Sequence, residues 1–336
     1  MTLPGVLERS RALVDPALRS TIGRLQSGLR SLAEYHFGWT EIDGSTSQIA
    51  SGKGLRPALA VLSAEAVGGT GKEAVPGAVA VELVHNFSLM HDDIIDADKE
   101  RRHRASVWSA FGIDEAVISG DALHNLAYQV LLEEPSQSRL FAAKRLSEAT
   151  AAMIAGQAAD MAFDDQPIVS LNECVAMEAG KTGALLAYSA SVGAVLAGAN
   201  LTQIVGLEKF GLELGCAFQA VDDVLGIWGD AERTGKPVGN DLRERKKSLP
   251  VVAALEMGGR TADELLTIYG KVGDLTDSDV LRAKAVLEDA GGREHAEAFA
   301  KGRLVVAIDA LEDLGLEQSA VDEFKDLARF MVERDF

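Results

Sequence analysis

Apolar residues recur along this chain at the three-and-four spacing of a helix, and no sustained period-two alternation marks a strand. Val6, Leu7, Leu13, Leu18, Ile22, Leu25, Leu29 and Leu32 set out one amphipathic opening segment over residues 5–35, a packing element. Gly38 to Gly54 is a polar connector that ends in GKGLRP, residues 52–57, where Pro57 suits the first turn of the next helix. The stretch Leu83 to Arg102, LVHNFSLMHDDIIDADKERR, begins apolar enough for a helical core and ends in acids and arginines. Helical patterns continue over Asp114–Leu132 and Arg139–Phe163. Gly183 to Ala199 is the least polar run. Interrupted by Tyr188, Ser189, Ser191 and Gly193, it falls short of a membrane span and reads as a buried helix. Leu207 to Trp228 is a second long apolar helix ending in acids, and Gly229 to Pro250 follows as a charged, glycine-rich loop with the length of a lid. Val251 to Phe336 reads as shorter amphipathic helices that complete a bundle. The expectation is one all-α domain over residues 1–336.

The acids change the picture from packing to chemistry. A helix turns about 100° and rises about 1.5 Å per residue, which puts Asp92 and Asp96 on one face a turn apart, with Asp93 beside them. Two carboxylates about 4 Å apart repel by roughly 4 kcal/mol at an effective dielectric of about 20, so the cluster asks for a cation. A solvated helix end pairing with Lys99 to Arg102 would also meet that demand. Oxygen ligands without Cys or His at ligand spacing favour magnesium, which keeps several waters and is shared with substrate phosphates. The second helix repeats the theme with Gln219, Asp222 and Asp223, and the loop behind it brings Lys236 and Lys246. Lys53 and Arg56 stand at a helix entrance, where free amides and the helix dipole favour an anion. Gly180 and Gly183 flank Lys181 and Thr182 inside an apolar helical run, at a cost of about 1 kcal/mol each relative to alanine, which predicts a break there.

Composition limits the possible ligands. The 336 residues are 47% hydrophobic, carry only 8 Pro and have a formal net charge of −18, a field that repels nucleic acid and anionic membrane surfaces. An anionic ligand needs a site where metal ions, Lys and Arg invert that field locally, which screening over about 8 Å permits. Cys174 and Cys216 lie in apolar patterns and read as buried thiols of a reducing cytoplasm. No apolar signal core opens the chain. The simplest assembly faces the two acid clusters across a helical cavity. A magnesium cluster there, with Lys181, Lys236, Lys246 and Arg101, would hold a diphosphate and stabilise its departure. An allylic group left behind would be a carbocation, so the cavity walls must be apolar and dry.

At this point the residues resemble the trans-isoprenyl diphosphate synthases, or polyprenyl synthetases. GKGLRP at 52–57, HDDIIDADKERR at 91–102, GKTG at 180–183, FQAVDDVLG at 218–226 and GKPVGNDLRERKKSLP at 235–250 carry the resemblance, in their order as well as their content. It implies an isoprenoid synthase-type helical bundle around a central apolar cavity. It also implies head-to-tail condensation of isopentenyl diphosphate with an allylic diphosphate by ionisation, condensation and elimination, and a homodimer. Matched by position, Asp92, Asp96 and Asp222 resemble the magnesium ligands, with Asp93 and Asp223 in support. Arg101, Lys181, Thr182, Gln219, Lys236 and Lys246 are similar to the residues that hold the allylic diphosphate; Lys53, Arg56, His85 and Arg102 match the isopentenyl diphosphate site. The released diphosphate is expected to take the final proton.

Two departures from that pattern stand out. The second acid motif usually reads DDxxD, and here Gly226 replaces the last acid, so magnesium binding is expected to be weakened rather than lost. His103 and Ala105 replace a Gly and a Pro common in the basic turn, which bears on the turn's geometry and not on its charges. Chain length is a matter of cavity depth: Ser88 shares the Asp92 face, and an aromatic residue at Phe87 goes with geranylgeranyl diphosphate in similar enzymes. Farnesyl diphosphate, a terpene cyclase on the same fold and a non-catalytic subunit of a heteromeric synthase are the alternatives. The complete set Lys53, Arg56, His85 and Arg102 argues against the cyclase, which has no second diphosphate to hold.

Overall fold

The computed structural model describes residues 5–47, 52, 54–230 and 238–333, and its ordered elements are helices apart from one two-residue hairpin and an isolated bridge between Thr40 and Thr46. Contacts group the chain into two compact units. The first comprises Met1–Glu148, Tyr188–Glu208 and Leu311–Asp326; the second comprises Ala149–Ala187, Lys209–Ala310 and Leu327–Phe336.

In the first unit the opening segment forms two helices, α1 (Gly5–Ile22) and α2 (Ser27–His36), and not the single one its periodicity suggests. The Arg24 and Leu25 amides turn back to the carbonyls of Thr21 and Ile22, three residues behind, and this tightening ends α1. Next come α3 (Leu55–Ala66), α4 (Gly71–Ile95), the hairpin β1 (Glu100–Arg101) and β2 (Arg104–Ala105), α5 (Val107–Phe111), α6 (Ile113–Leu132) and the start of α7 (Gln137–Phe163). A capping box opens α4: the Thr70 and Glu73 side chains satisfy each other's backbone amides. Its Leu83, Val84, Phe87 and Met90 are buried, and α4 packs against α3 and α6. Each such side chain contributes at most roughly 1.5–3 kcal/mol, an upper bound because unfolded chains are already partly collapsed.

The second unit holds the rest of α7, α8 (Leu171–Glu178), a π-helical turn over Ala179–Gly183, and most of α10 (Leu201–Trp228). The helix α9 (Ala184–Leu196) begins in this unit. Later elements are α11 (Asn240–Arg243), α12 (Leu249–Met257), α13 (Gly259–Tyr269), α14 (Asp277–Asp289), α15 (Gly292–Asp309) and α16 (Gln318–Val332). Among its described residues the long charged loop is interrupted by the short helix α11. Leu249 to Leu255 are all buried, so α12 is a central helix rather than an amphipathic one. It packs on α13 and α15, in a core shared with Ile227, Leu242, Leu265, Val280 and Leu287. Among the described residues no helix is long and apolar enough to cross a membrane.

Candidate active site

The first set of functional side chains gathers at the end of α4. The Asp96 amide donates to the Asp92 carbonyl at 2.8 Å, so the helical pattern runs through Asp96 and keeps the two carboxylates on one face. Asp93 turns the other way. It is buried, and the Arg101 guanidinium meets it at 2.6 and 2.8 Å, folding the hairpin back onto the helix. Burial pushes the Asp93 carboxyl up even with Arg101 against it. Arg102 and His103, the two central residues of the hairpin, have φ of 54° and 60°, and Ala97 has φ of 53°. A two-residue hairpin turn of type I′ has positive φ at both centres, which non-glycine residues adopt at a cost. The basic turn thus keeps a tight form without glycine. Arg104 is structural: its guanidinium donates to the carbonyls of Tyr35 and Thr40 at 3.1 and 2.6 Å and lies over the Tyr35 ring.

The same unit also brings an arginine and a histidine together. Arg56 of α3 lies 3.2 Å from His85 Nε2 of α4. A guanidinium only donates, so Nε2 accepts and the neutral imidazole carries its proton on Nδ1. Burial, with Arg56 beside it, holds His85 well below the ordinary histidine value. Glu82 lies one turn before His85; its Oε1 accepts from Asn86 Nδ2 at 3.0 Å, and burial raises its pKa while Arg56 opposes the rise. Arg102 extends over Gly52, whose carbonyl accepts from Arg11 at 3.3 Å. Lys53 and Lys236 lie outside the described residues. Phe87 is buried between the His91 and His124 rings, at centroid distances of 5.3 and 4.8 Å, and so leans on α6. The Ser88 hydroxyl donates to the His85 carbonyl at 2.8 Å.

The second set belongs to the second unit. The predicted break at Lys181 is a π-turn, an insertion that frees backbone and recurs at functional sites. Glycine permits it: a Cβ on Gly156 of α7 would fall on the Lys181 amide nitrogen. Lys181 pairs with Asp160 at 2.6 Å, and the Thr182 hydroxyl donates to Gln219 Oε1 at 2.8 Å. Gln219 Nε2 donates to Asp223 Oδ1 at 2.9 Å, and the Leu249 amide donates to Asp223 Oδ2 at 2.8 Å. Asp223 is therefore committed to the protein, while Asp222 beside it is half-buried. Glu178 is buried next to Asp223, and burial followed by Asp223's charge pushes its pKa well up. The donors around Asp223 favour its anion, while burial raises both carboxyls. Lys246 pairs with Glu244 at 3.1 Å. Cys174 and Cys216 are buried free thiols; burial pushes Cys216 up to about 12.

Sequence reasoning passed over Glu82 and Glu178. The signal for both was an acid inside an apolar helical run, which must find a partner or a proton. Among the described residues no three His, Cys, Asp or Glu side chains converge closely enough to hold a metal alone. By donor type the carboxylates suit magnesium: Asp92 and Asp96 in the first unit and Asp222 in the second offer hard oxygens, the kind that ion prefers.

The model of the polyprenyl synthetase family matches residues 42–287. A (2E,6E)-farnesyl diphosphate synthase of Mycobacterium tuberculosis is 44% identical over 336 residues, covering 99% of this chain and 93% of that protein. A geranylgeranyl diphosphate synthase of the same organism is 44% identical over 309 residues, covering 92% and 88%. The crystal structure of a polyprenyl synthetase from Streptomyces coelicolor superposes with a TM-score of 0.94 at 46% identity, covering 98% of this chain and 100% of that one. With the family's acid pairs on two long helices and its model matched across most of the sequence, this chain belongs to the polyprenyl synthetase family.

Proposed function

We propose that this chain condenses isopentenyl diphosphate head to tail with dimethylallyl, geranyl or farnesyl diphosphate to a linear trans-prenyl diphosphate, foremost geranylgeranyl diphosphate. One observation supports the reading: Arg56 lies 3.2 Å from His85 in the first unit, an anion-ready pair additional to the Lys181–Thr182–Gln219 group of the second unit. A cyclase, with no second diphosphate to hold, would not need the Arg56–His85 pair. Asp92, Asp96 and Asp222 would hold magnesium, which when bound supplies positive charge to the departing diphosphate. Lys181, Thr182 and Gln219, with Arg101, Lys236 and Lys246, would orient the allylic diphosphate. Arg56, His85 and Arg102, with Lys53, would hold isopentenyl diphosphate, His85 as a neutral donor through Nδ1. Asp93 and Asp223 act as positioning residues, fixing the helix ends through Arg101 and through Gln219 and Leu249. The released diphosphate takes the proton lost in elimination. A homodimer working in the cytoplasm completes the proposal.

Farnesyl diphosphate is the second reading of product length, because the farnesyl and geranylgeranyl synthases of M. tuberculosis are equally identical to this chain. Incubating the purified protein with magnesium, isopentenyl diphosphate and each allylic diphosphate in turn, with products resolved by mass spectrometry, tests both. A C20 diphosphate supports the first reading and a C15 product the second. A cyclic hydrocarbon, or no product from any starter, overturns the condensation.

A further inference from the structure

We propose that Asn86 is a positioning residue of the isopentenyl diphosphate site: its amide holds the Glu82 carboxylate where it answers the charges of Arg56 and Arg102. The inference rests on the substrate reading above and adds a layer behind it. Glu82, His85 and Asn86 stand three and four residues apart on α4 and so share one face. Arg56 meets that face at His85, 3.2 Å from Nε2. Glu82 lines one cavity with Arg102, Gly52, Gly54 and Pro57, beside the entrance of α3. Burial raises the Glu82 carboxyl, and among the charges that oppose the rise Arg56 comes first, followed by Arg102. One carboxylate thus answers two of the cations that would hold the second diphosphate.

Asn86 is fully buried, and its Nδ2 donates twice to Glu82, to the carbonyl at 2.8 Å and to Oε1 at 3.0 Å. The bond to the carbonyl four residues back adds nothing to the helix, because a short polar side chain there competes with the backbone ladder. Asn86 Oδ1 meets no well-aligned donor among the described residues, so an amide is a poor choice if the position serves packing alone. Leucine would fill that volume without the unmet oxygen. What leucine could not do is fix a carboxylate. A glutamate side chain is otherwise free to turn, and the Nδ2 bond removes that freedom before substrate arrives. With Glu82 fixed, the two guanidinia share a counter-charge of settled position, the kind of support that keeps a binding group in its productive geometry.

Steady-state assays of the full chain that vary isopentenyl diphosphate and the allylic diphosphate in turn test this, with circular dichroism confirming that each variant is folded. Asn86→Leu should raise the KM for isopentenyl diphosphate by about tenfold, the scale of one hydrogen bond to a charged group, and leave the KM for the allylic diphosphate unchanged. Glu82→Gln keeps the shape, removes the charge and should raise the same KM at least as far. The double variant should be no worse than Glu82→Gln alone, because Asn86 acts through Glu82. Asn86→Ala, which cannot overpack, is read in place of Asn86→Leu if the leucine variant does not fold. An unchanged KM for isopentenyl diphosphate, equal rises in both KM values, or a double variant in which the two effects multiply overturns the inference. Unaltered protein that turns over an allylic diphosphate without consuming isopentenyl diphosphate would instead overturn the substrate reading beneath it.

Discussion

His103 sits at φ 60° on an exposed turn, a backbone state that costs an L-residue roughly 1–2 kcal/mol and glycine almost nothing. His103→Gly should therefore stabilise the protein by about 1 kcal/mol in urea unfolding, the gain being trimmed by glycine's extra freedom in the unfolded chain. The proton shared by Glu178 and Asp223 makes an equally local prediction. If it sits on Glu178, Glu178→Gln preserves a donor toward Asp223 and should alter stability by less than about 1 kcal/mol. Glu178→Ala removes the donor and leaves a void, costing about 2–4 kcal/mol. A Gln variant as unstable as the Ala variant would place the negative charge on Glu178. Phe87 has its own test. Packed between two histidine rings, it closes the space beside α6, and Phe87→Ala should lengthen the product by one isoprene unit if that space receives the growing chain. An unchanged product would leave Phe87 a packing residue.

Among the elements, the π-turn over Ala179–Gly183 depends most on its neighbour. Its Lys181 amide lies where a side chain on Gly156 would be, so α7 and the turn approach at backbone distance. Gly156→Ala must push them apart, an overpacking that costs about 1–3 kcal/mol, and it moves Lys181 and Thr182 with the turn. The expected kinetic result is a raised KM for the allylic diphosphate with the KM for isopentenyl diphosphate unchanged, measured by steady-state assay with each substrate varied. A break at this position was legible from two glycines in an apolar run; its π-helical form was not, because that form is set by the glycine of another helix. In the same way, apolar spacing marked the C-terminal parts of α4 and α10 but not their starts, which lie twelve and six residues earlier, at Gly71 and Leu201. It did not separate α1 from α2, whose boundary is a local hydrogen-bond closure, or show that α12 is buried on every face.

For the whole molecule, two half-buried histidines link folding to pH. Burial, then the charges of Arg101 and Arg102, push His36 down to about 3, and burial with Arg56 holds His85 low as well. Between about 3 and 6.5 the unfolded chain binds the His36 proton and the native protein does not, so this contribution to stability is complete above about pH 6.5 and is lost as pH falls. Glu82 and Glu178, whose pKa values are raised, act in the opposite sense over part of this range, so the histidine is isolated by substitution. Going from pH 7 to pH 5, His36→Asn should lose less stability than the unaltered protein by about 2 kcal/mol, at about 1.4 kcal/mol per pH unit. Equal losses in the two proteins would show that His36 is protonated in the folded state.

What the sequence alone determined was the helical class, the helices that end in acids, the family those motifs belong to and the residue types that suit magnesium and diphosphate. These follow from periodicity and from charges close together along one helix, both of which are local properties of the chain. Only the tertiary structure decided which acids are already committed: Asp93 to Arg101, Asp223 to Gln219 and the Leu249 amide, with the Glu178 carboxyl, its pKa raised by burial, beside it. Those pairings join residues up to dozens of positions apart, and a carboxylate's role is set by which donors reach it and how far water is excluded, neither of which is encoded in its immediate neighbours.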